Sequence, residues 1–280
     1  MIRNDYLIKR KFNSYILPSV LMVMAMQLGN IIDSILVSGF IDVDGLTAIS
    51  LSLPALYFMQ IIGFTIGIGG AVIISVMLGK RQIKEASGVF SVCLVAALML
   101  SLVFTVLAPF ITKPLSGFLA STERLASLLE PYLYVFILFI PLLNLCIVIS
   151  NIITIDNCPK LGAFCLITAN VVNLILDYVF LKYTDMGMYG AAFSTIIGYG
   201  VGNVVIIPYI LSKKRMLTLN LREGLKKLSA IWQVFKAGSS QTAVFVMLIL
   251  QYFILNTFIQ NTLGADQMAI YAVCLNSVYI

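Results

Sequence analysis

The sequence contains no histidine and a single tryptophan, and only 11% of its 280 residues are charged. A soluble protein carries about 25% charged residues. Without histidine the chain lacks the commonest proton shuttle and metal ligand. With so few charges and 60% hydrophobic residues, a soluble fold has too little interior to hide its apolar surface. That excludes a soluble enzyme, a nucleic-acid binder and a disordered scaffold. The five cysteines (Cys93, Cys146, Cys158, Cys165 and Cys274) lie in or beside apolar runs without metal-ligand spacing, and read as small buried hydrophobes. A small-x-small cleavage site is also missing after the first apolar run, so no cleaved signal peptide is expected.

What the chain does have is long apolar runs, with a mean hydropathy of +1.02. A helix crossing the hydrocarbon core needs about 20 apolar residues. Charged and turn-forming breaks divide the sequence into eight such runs: residues 15–40, 46–78, 87–111, 128–155, 161–181, 188–211, 237–259 and 265–280. The second is long enough to be tilted, or broken near Pro54 or the glycines from Gly67 to Gly70. The third is expected to stop at Lys113 and Pro114. The reading is an all-α polytopic membrane protein with the lipid bilayer as its main partner.

Charge sets the expected orientation. With loops assigned alternately to two sides, 15 of the 18 Lys and Arg fall on the side of the N-terminus. Only Lys113, Arg124 and Lys182 fall on the other. This positive-inside asymmetry puts the N-terminus in the cytoplasm. It also explains the net charge of +6 without a nucleic-acid partner.

A weak self-match at an offset of 221 residues aligns Leu17, Pro18 and Ser19 with Gly238, Ser239 and Ser240, and Met26 with Met247. It also aligns Ala48 and Ile49 with Ala269 and Ile270. Six helices return a chain to the same side, so such repeats would be parallel. The expected organisation is a six-helix lobe over residues 1–212, a basic amphipathic cytoplasmic linker over 213–236, and the first hairpin of a second lobe over 237–280. In the linker, Leu221, Leu225, Leu228 and Trp232 form an apolar stripe that suggests one helix lying on the membrane interface.

Two carboxylates interrupt the spans, Asp33 and Asp177. An ionised group at the centre of a spanning helix costs about 2.5–3.5 kcal/mol, so such residues face protein or water and are candidates for function. Gln27, Asn30 and Asp33 share one sector of the first helix. Asn173 and Asp177 stack one turn apart on the fifth, and Thr195 lies in the sixth. Two carboxylates, an amide and a hydroxyl supply oxygen ligands for a hard monovalent cation, or a carboxylate able to hold a proton. Alternatively, these groups only tie helices together, at about 1 kcal/mol per hydrogen bond. No lysine or arginine lies within a span to pair with the aspartates. Glycines in the second and sixth spans point to close helix packing. Tyr57, Phe58 and Met59 suit lipid or a drug-sized cavity.

The stretch from Asn151 through Asp156 and Pro159, then Asn170, Asn173 and Asp177, then Gly187, Gly190 and Thr195, resembles the multidrug and toxic compound extrusion (MATE) family, especially its bacterial multidrug branch. The opening hairpin, from Pro18 through Asp33 and Gly39 to Ala48 and Pro54, is similar to the family's first two helices. One departure is Val76, where the family often has arginine. The resemblance implies two six-helix lobes around a V-shaped cavity in the bacterial cytoplasmic membrane. It implies an antiporter, not an enzyme, exporting small organic cations by alternating access in exchange for Na+ or protons, with no other cofactor. Carried over, Asp33, Asn173, Asp177 and Thr195 would form the coupling-cation site, Gln27 and Asn30 would support it, and Pro18 would bend the first helix. The family also implies four further helices, so the sequence is expected to be most of the first half of a larger transporter of about 440 residues. A complementary C-terminal lobe or a second copy is then the expected partner. The alternatives are a non-transporting fragment, and a flippase for lipid-linked precursors with the same architecture.

Overall fold

The computed structural model describes residues 31–156, 158–211, 215–226 and 229–262 continuously, with isolated positions (16, 20, 21, 24, 28, 29, 267, 270 and 271) near the two ends. Pro18, Gln27, Asn30, Leu228 and Cys274 lie outside the described residues, as does most of the expected eighth span.

Among the described residues the chain is helical, without strands. The helices are α1 (Ile31–Phe40), α2 (Val43–Gly79), α3 (Ile83–Leu119), α4 (Glu123–Ile155), α5 (Pro159–Tyr183), α6 (Met188–Val205), α7 (Ile207–Leu211), α8 (Leu221–Lys226) and α9 (Ala230–Thr262). Six runs are long and apolar enough to cross a membrane: α2, α3, α4, α5, α6 with most of α7, and α9. Their ends follow local chemistry. Asp42 caps α2 by accepting from the Gly45 N–H at 2.8 Å, and Thr122 caps α4 through Leu125. Pro159 occupies the first turn of α5, where its missing N–H costs nothing. Pro208 withholds a donor from Val204, and the chain turns at Ile206 between α6 and α7.

Three boundaries differ from the hydropathy reading. α3 runs through Lys113 and Pro114 to Leu119; Lys113 is exposed, so it marks the edge of the apolar zone and not the end of the helix. α9 begins at Ala230, seven residues before the expected start, and carries exposed Lys236 in its first turns. The stripe from Leu221 to Trp232 does not form one interfacial helix. α8 stops at Lys226 and packs on α3, with Gly224 against Ser91 and Gly88. Trp232 belongs to α9, where it is 73% exposed. α2 stays continuous through Pro54 and the glycines.

α4 is the hub of the bundle. In its most apolar stretch 61% of residues are buried, against 22% for α9. Leu129, Leu133, Ile137, Ile140 and Ile147 form its core ridge. Its Asn144 donates to the Met59 carbonyl on α2 at 3.2 Å and to Ser101 on α3 at 2.8 Å, so one amide ties three helices. The cysteine reading holds for Cys93, Cys146 and Cys165, all buried. Cys158, between α4 and α5, is half-buried, and burial followed by the neighbouring Asp156 raises its thiol above the usual range. It is therefore a poor nucleophile.

α9 lies antiparallel on α2 along most of its length. Gly69 meets Val234 and Gly238, Thr65 bonds Thr242 at 2.7 Å, Tyr57 packs on Phe245 and Tyr252, and Ser50 meets Asn256. A Cβ on Gly69 would run into the Val234 carbonyl, and one on Gly238 into the Thr65 carbonyl. Small residues admit this backbone approach where apolar area gives little drive in lipid.

After α7 the chain runs as an extended strap over residues 215–220. Buried Asp156 accepts through Oδ2 from the Tyr209 hydroxyl and from the backbone N–H groups of Met216 (3.0 Å) and Leu217 (3.4 Å). Ser87 accepts from Thr218 at 3.1 Å and Ser91 from Asn220 at 2.8 Å. Asn220 then caps α8 through Glu223.

Candidate functional site

α5 and α6 meet through small residues. Gly198 faces the Ala169 carbonyl and Asn173, and Gly202 faces Cys165 and Ala169. This approach carries the polar groups one turn earlier on α6 against those one turn later on α5. Asn173 Nδ2 lies 2.7 Å from Asp177 Oδ2, 3.3 Å from Ser194 Oγ and 3.1 Å from Thr195 Oγ1. The Ser194 hydroxyl donates to Asp177 Oδ1. Asp177 is fully buried and Asn173 is 9% exposed.

α1 completes the cluster. The Asp33 carboxyl lies beside that of Asp177, and its Oδ1 is enclosed without a hydrogen-bond partner among the described residues. Four residues singled out in the sequence, Asp33, Asn173, Asp177 and Thr195, thus come together from three helices. Ser194 joins them and was missed, because a serine in a Gly/Ala-rich helix ordinarily bonds only its own backbone. The Ala191 carbonyl, 2.8 Å from its Oγ, is the backbone acceptor that competes with Asp177 for the one hydroxyl proton. Two carboxylates in contact concentrate negative charge that a proton or metal cation would offset, and the unpartnered Asp33 oxygen is the atom left to receive it.

The cluster opens onto a cavity of about 360 Å³ enclosed by α1, α2, α4, α5, α6 and α9. Asp33, Asn173 and Thr195 reach its wall, while Asp177 lies behind them. Its wall is also aromatic. Phe64, Phe245, Tyr57 and Tyr252 adjoin in that order as edge-on or tilted rings, with ring centroids 4.8 Å apart for Phe64 and Phe245, 5.7 Å for Tyr57 and Phe245, and 5.4 Å for Tyr57 and Tyr252. Among the described lining residues Asp33 is the one acidic group, and none is a lysine or arginine. Tyr57 thus faces the cavity, Phe58 is 55% exposed on the outer surface, and Met59 is buried. An aromatic wall with one carboxylate favours an apolar cation, through ring quadrupoles and direct charge attraction.

Comparison with known proteins gives the same architecture. The chain is 25% identical over 222 residues to the multidrug export protein MepA of Staphylococcus saprophyticus, covering 79% of this chain and 49% of the relative. It is 24% identical over 227 residues to MepA of Staphylococcus aureus, covering 80% and 50%. The chain spans about half the length of the curated relatives it matches. Among solved structures, the MATE multidrug transporter DinF-BH superposes with a TM-score of 0.86 at 24% identity, covering 94% of this chain and 59% of that one. An inward-facing MATE transporter of the MOP superfamily gives 0.81 at 20% identity, covering 88% and 56%. An outward-facing one gives 0.79 at 19%, covering 95% and 60%. These likenesses establish the fold, a multi-pass helical membrane protein. The MatE family itself matches residues 18–179, more than half of the sequence and the part that holds Asp33, Asn173 and Asp177. The chain belongs to the MatE family.

Proposed function

We propose that this chain is the ion-coupling half of a secondary active exporter, moving small organic cations out of the cell in exchange for Na+ or protons. The observation that carries the proposal is the Asp33–Asp177 pair, braced by Asn173, Ser194 and Thr195, at the wall of an aromatic cavity whose described lining holds no basic residue. Entry of a cation or proton neutralises the pair and changes which packing of α1 against α5 and α6 is favoured. A ligand that binds two packings unequally shifts their populations. In this reading residues 1–212 form one lobe and α9 opens a second, with the Lys- and Arg-rich loops cytoplasmic. The names of the staphylococcal relatives support a multidrug substrate range. A flippase for anionic lipid-linked precursors fits less well, because such cargo needs a basic cavity wall.

The test is reconstitution of this chain in liposomes, with and without a complementary C-terminal half, followed by uptake of a fluorescent organic cation under an imposed Na+ or proton gradient. The driving gradient identifies the coupling ion. Asp33→Asn and Asp177→Asn are expected to abolish gradient-driven movement. Undiminished coupled transport by both variants overturns the proposal.

A further inference from the structure

Proline lacks an N–H, so Pro54 leaves the carbonyl four residues earlier, that of Ser50, without its helical donor. In a bilayer an unpaired carbonyl is costly. Here a side chain from a different helix meets it. Asn256 of α9, 3% exposed, donates through Nδ2 to the Ser50 carbonyl at 3.1 Å. One turn further along α9, Gln260 donates to the carbonyl of Leu119 at 3.3 Å. Leu119 is the last residue of α3, and the final carbonyls of a helix also have no intrahelical donor. Two carboxamides spaced i, i+4 on one face of α9 therefore reach two carbonyls that their own helices leave unpaired. Phe253, one turn before Asn256 on α9, stacks on Phe118 of α3.

We propose that Asn256 and Gln260 form a two-point latch that docks α9 on the α1–α6 bundle, with Pro54 creating the principal acceptor. The latch sits at the end of the bundle that carries Asp42, Asp44 and Arg124. Near the opposite end, α2 and α9 meet through Gly69 and Gly238 and hold by close packing. The two ends differ in kind. The glycine contact is set by shape and resists separation at every step, whereas the carboxamide bonds can be exchanged for water once the ends part. The latched end is thus the one held by contacts that can be exchanged as that side opens, and the glycine end is the more tightly packed of the two. The latch itself stands on the hydrogen bonds. Its use as a gate rests on the transport reading above.

A double-mutant cycle tests it on the purified full chain in nanodiscs. Pro54→Ala restores an N–H for Ser50 and makes Asn256 redundant. Spin labels at Ser121 and Thr262, both exposed, in a background with the other cysteines replaced, report the separation of α9 from the α3–α4 turn. Asn256→Leu is expected to lengthen and broaden that distance, and to lower the apparent Tm by about 2–4 °C. Pro54→Ala alone removes the principal acceptor and should lengthen the distance by itself, so adding Asn256→Leu to it should change either readout little further. Gln260→Leu should weaken the latch equally in either background, since its acceptor does not depend on Pro54. Asn256→Ala replaces the leucine variant if that one does not accumulate. Equal loss from Asn256→Leu with and without Pro54, or no loss with Pro54 present, overturns the proposal. These readouts need no transport, so inactive Asp33 and Asp177 variants that keep the short distance leave the latch standing, and failure of the cycle leaves the ion site standing.

Discussion

Gly198 of α6 lies against the backbone carbonyl of Ala169 on α5, closer than any side-chain methyl would allow. That contact sets the distance at which Ser194 and Thr195 meet Asn173 and Asp177. Gly198→Ala is expected to push α5 and α6 apart and to weaken cation binding about tenfold, the weight of one hydrogen bond to a charged group. Gly200→Ala, with open space around it, should leave binding unchanged. Titration calorimetry with Na+, or a pH titration where the ion is a proton, reads both. Equal affinities in the two variants would show that the helix crossing does not set the site.

Ser194→Ala removes the donor to Asp177 Oδ1 while Asn173 still serves Oδ2. A donor to a carboxylate favours its charged form, so the expected result is proton binding tightened about tenfold or more, with the pH range of coupled transport moved upward. An unchanged pH profile would mean that the serine serves the helix fold and not the ion.

Gly69→Ala and Gly238→Ala each place a methyl group on a carbonyl of the facing helix. Backbone cannot give way as a side-chain tip can, so each should cost about 1–3 kcal/mol in detergent unfolding. Gly117→Ala, in an open part of α3, should be neutral or gain up to about 1 kcal/mol through helix propensity. Similar changes at all three positions would contradict the packing described.

Asp156→Ala should free the strap by removing the acceptor of its Met216 and Leu217 N–H groups and of the Tyr209 hydroxyl. Limited trypsin digestion is the measurement. Cleavage after Arg215 and Arg222 is expected to rise about tenfold or more, as a locally opened state gains population, with cleavage elsewhere unchanged. An unchanged pattern would show that Ser87 and Ser91 hold the strap alone.

The spans were legible because lipid imposes a minimum apolar length, and Asp33 and Asp177 because a carboxylate in such a span is too costly to be incidental. The one-turn spacing of Asn173 and Asp177 also placed them on a shared face. Helix ends near the interface were less legible. Lys113 and Lys236 stop an apolar count, yet both sit inside helices, since a charge reports where lipid ends and leaves the backbone ladder intact. The stripe from Leu221 to Trp232 kept a helical period across a real break, because periodicity cannot register that Gly224 is seated against α3. Asn256 carries no signal of its own in the sequence. Its meaning comes from Ser50, more than two hundred residues away, and no local pattern carries that.

The clasp at Asp156 also limits how far parts of the molecule can travel. With the strap pinned to α4 and α3, and α8 seated on α3, the connection to α9 runs from Lys226 to Ala230. Four peptide steps span at most about 14 Å when fully stretched. The connection between the bundle and α9 is therefore a short leash. It leaves α9 room to tilt about its near end, while a wide sideways separation there would first have to tear the strap from its acceptors.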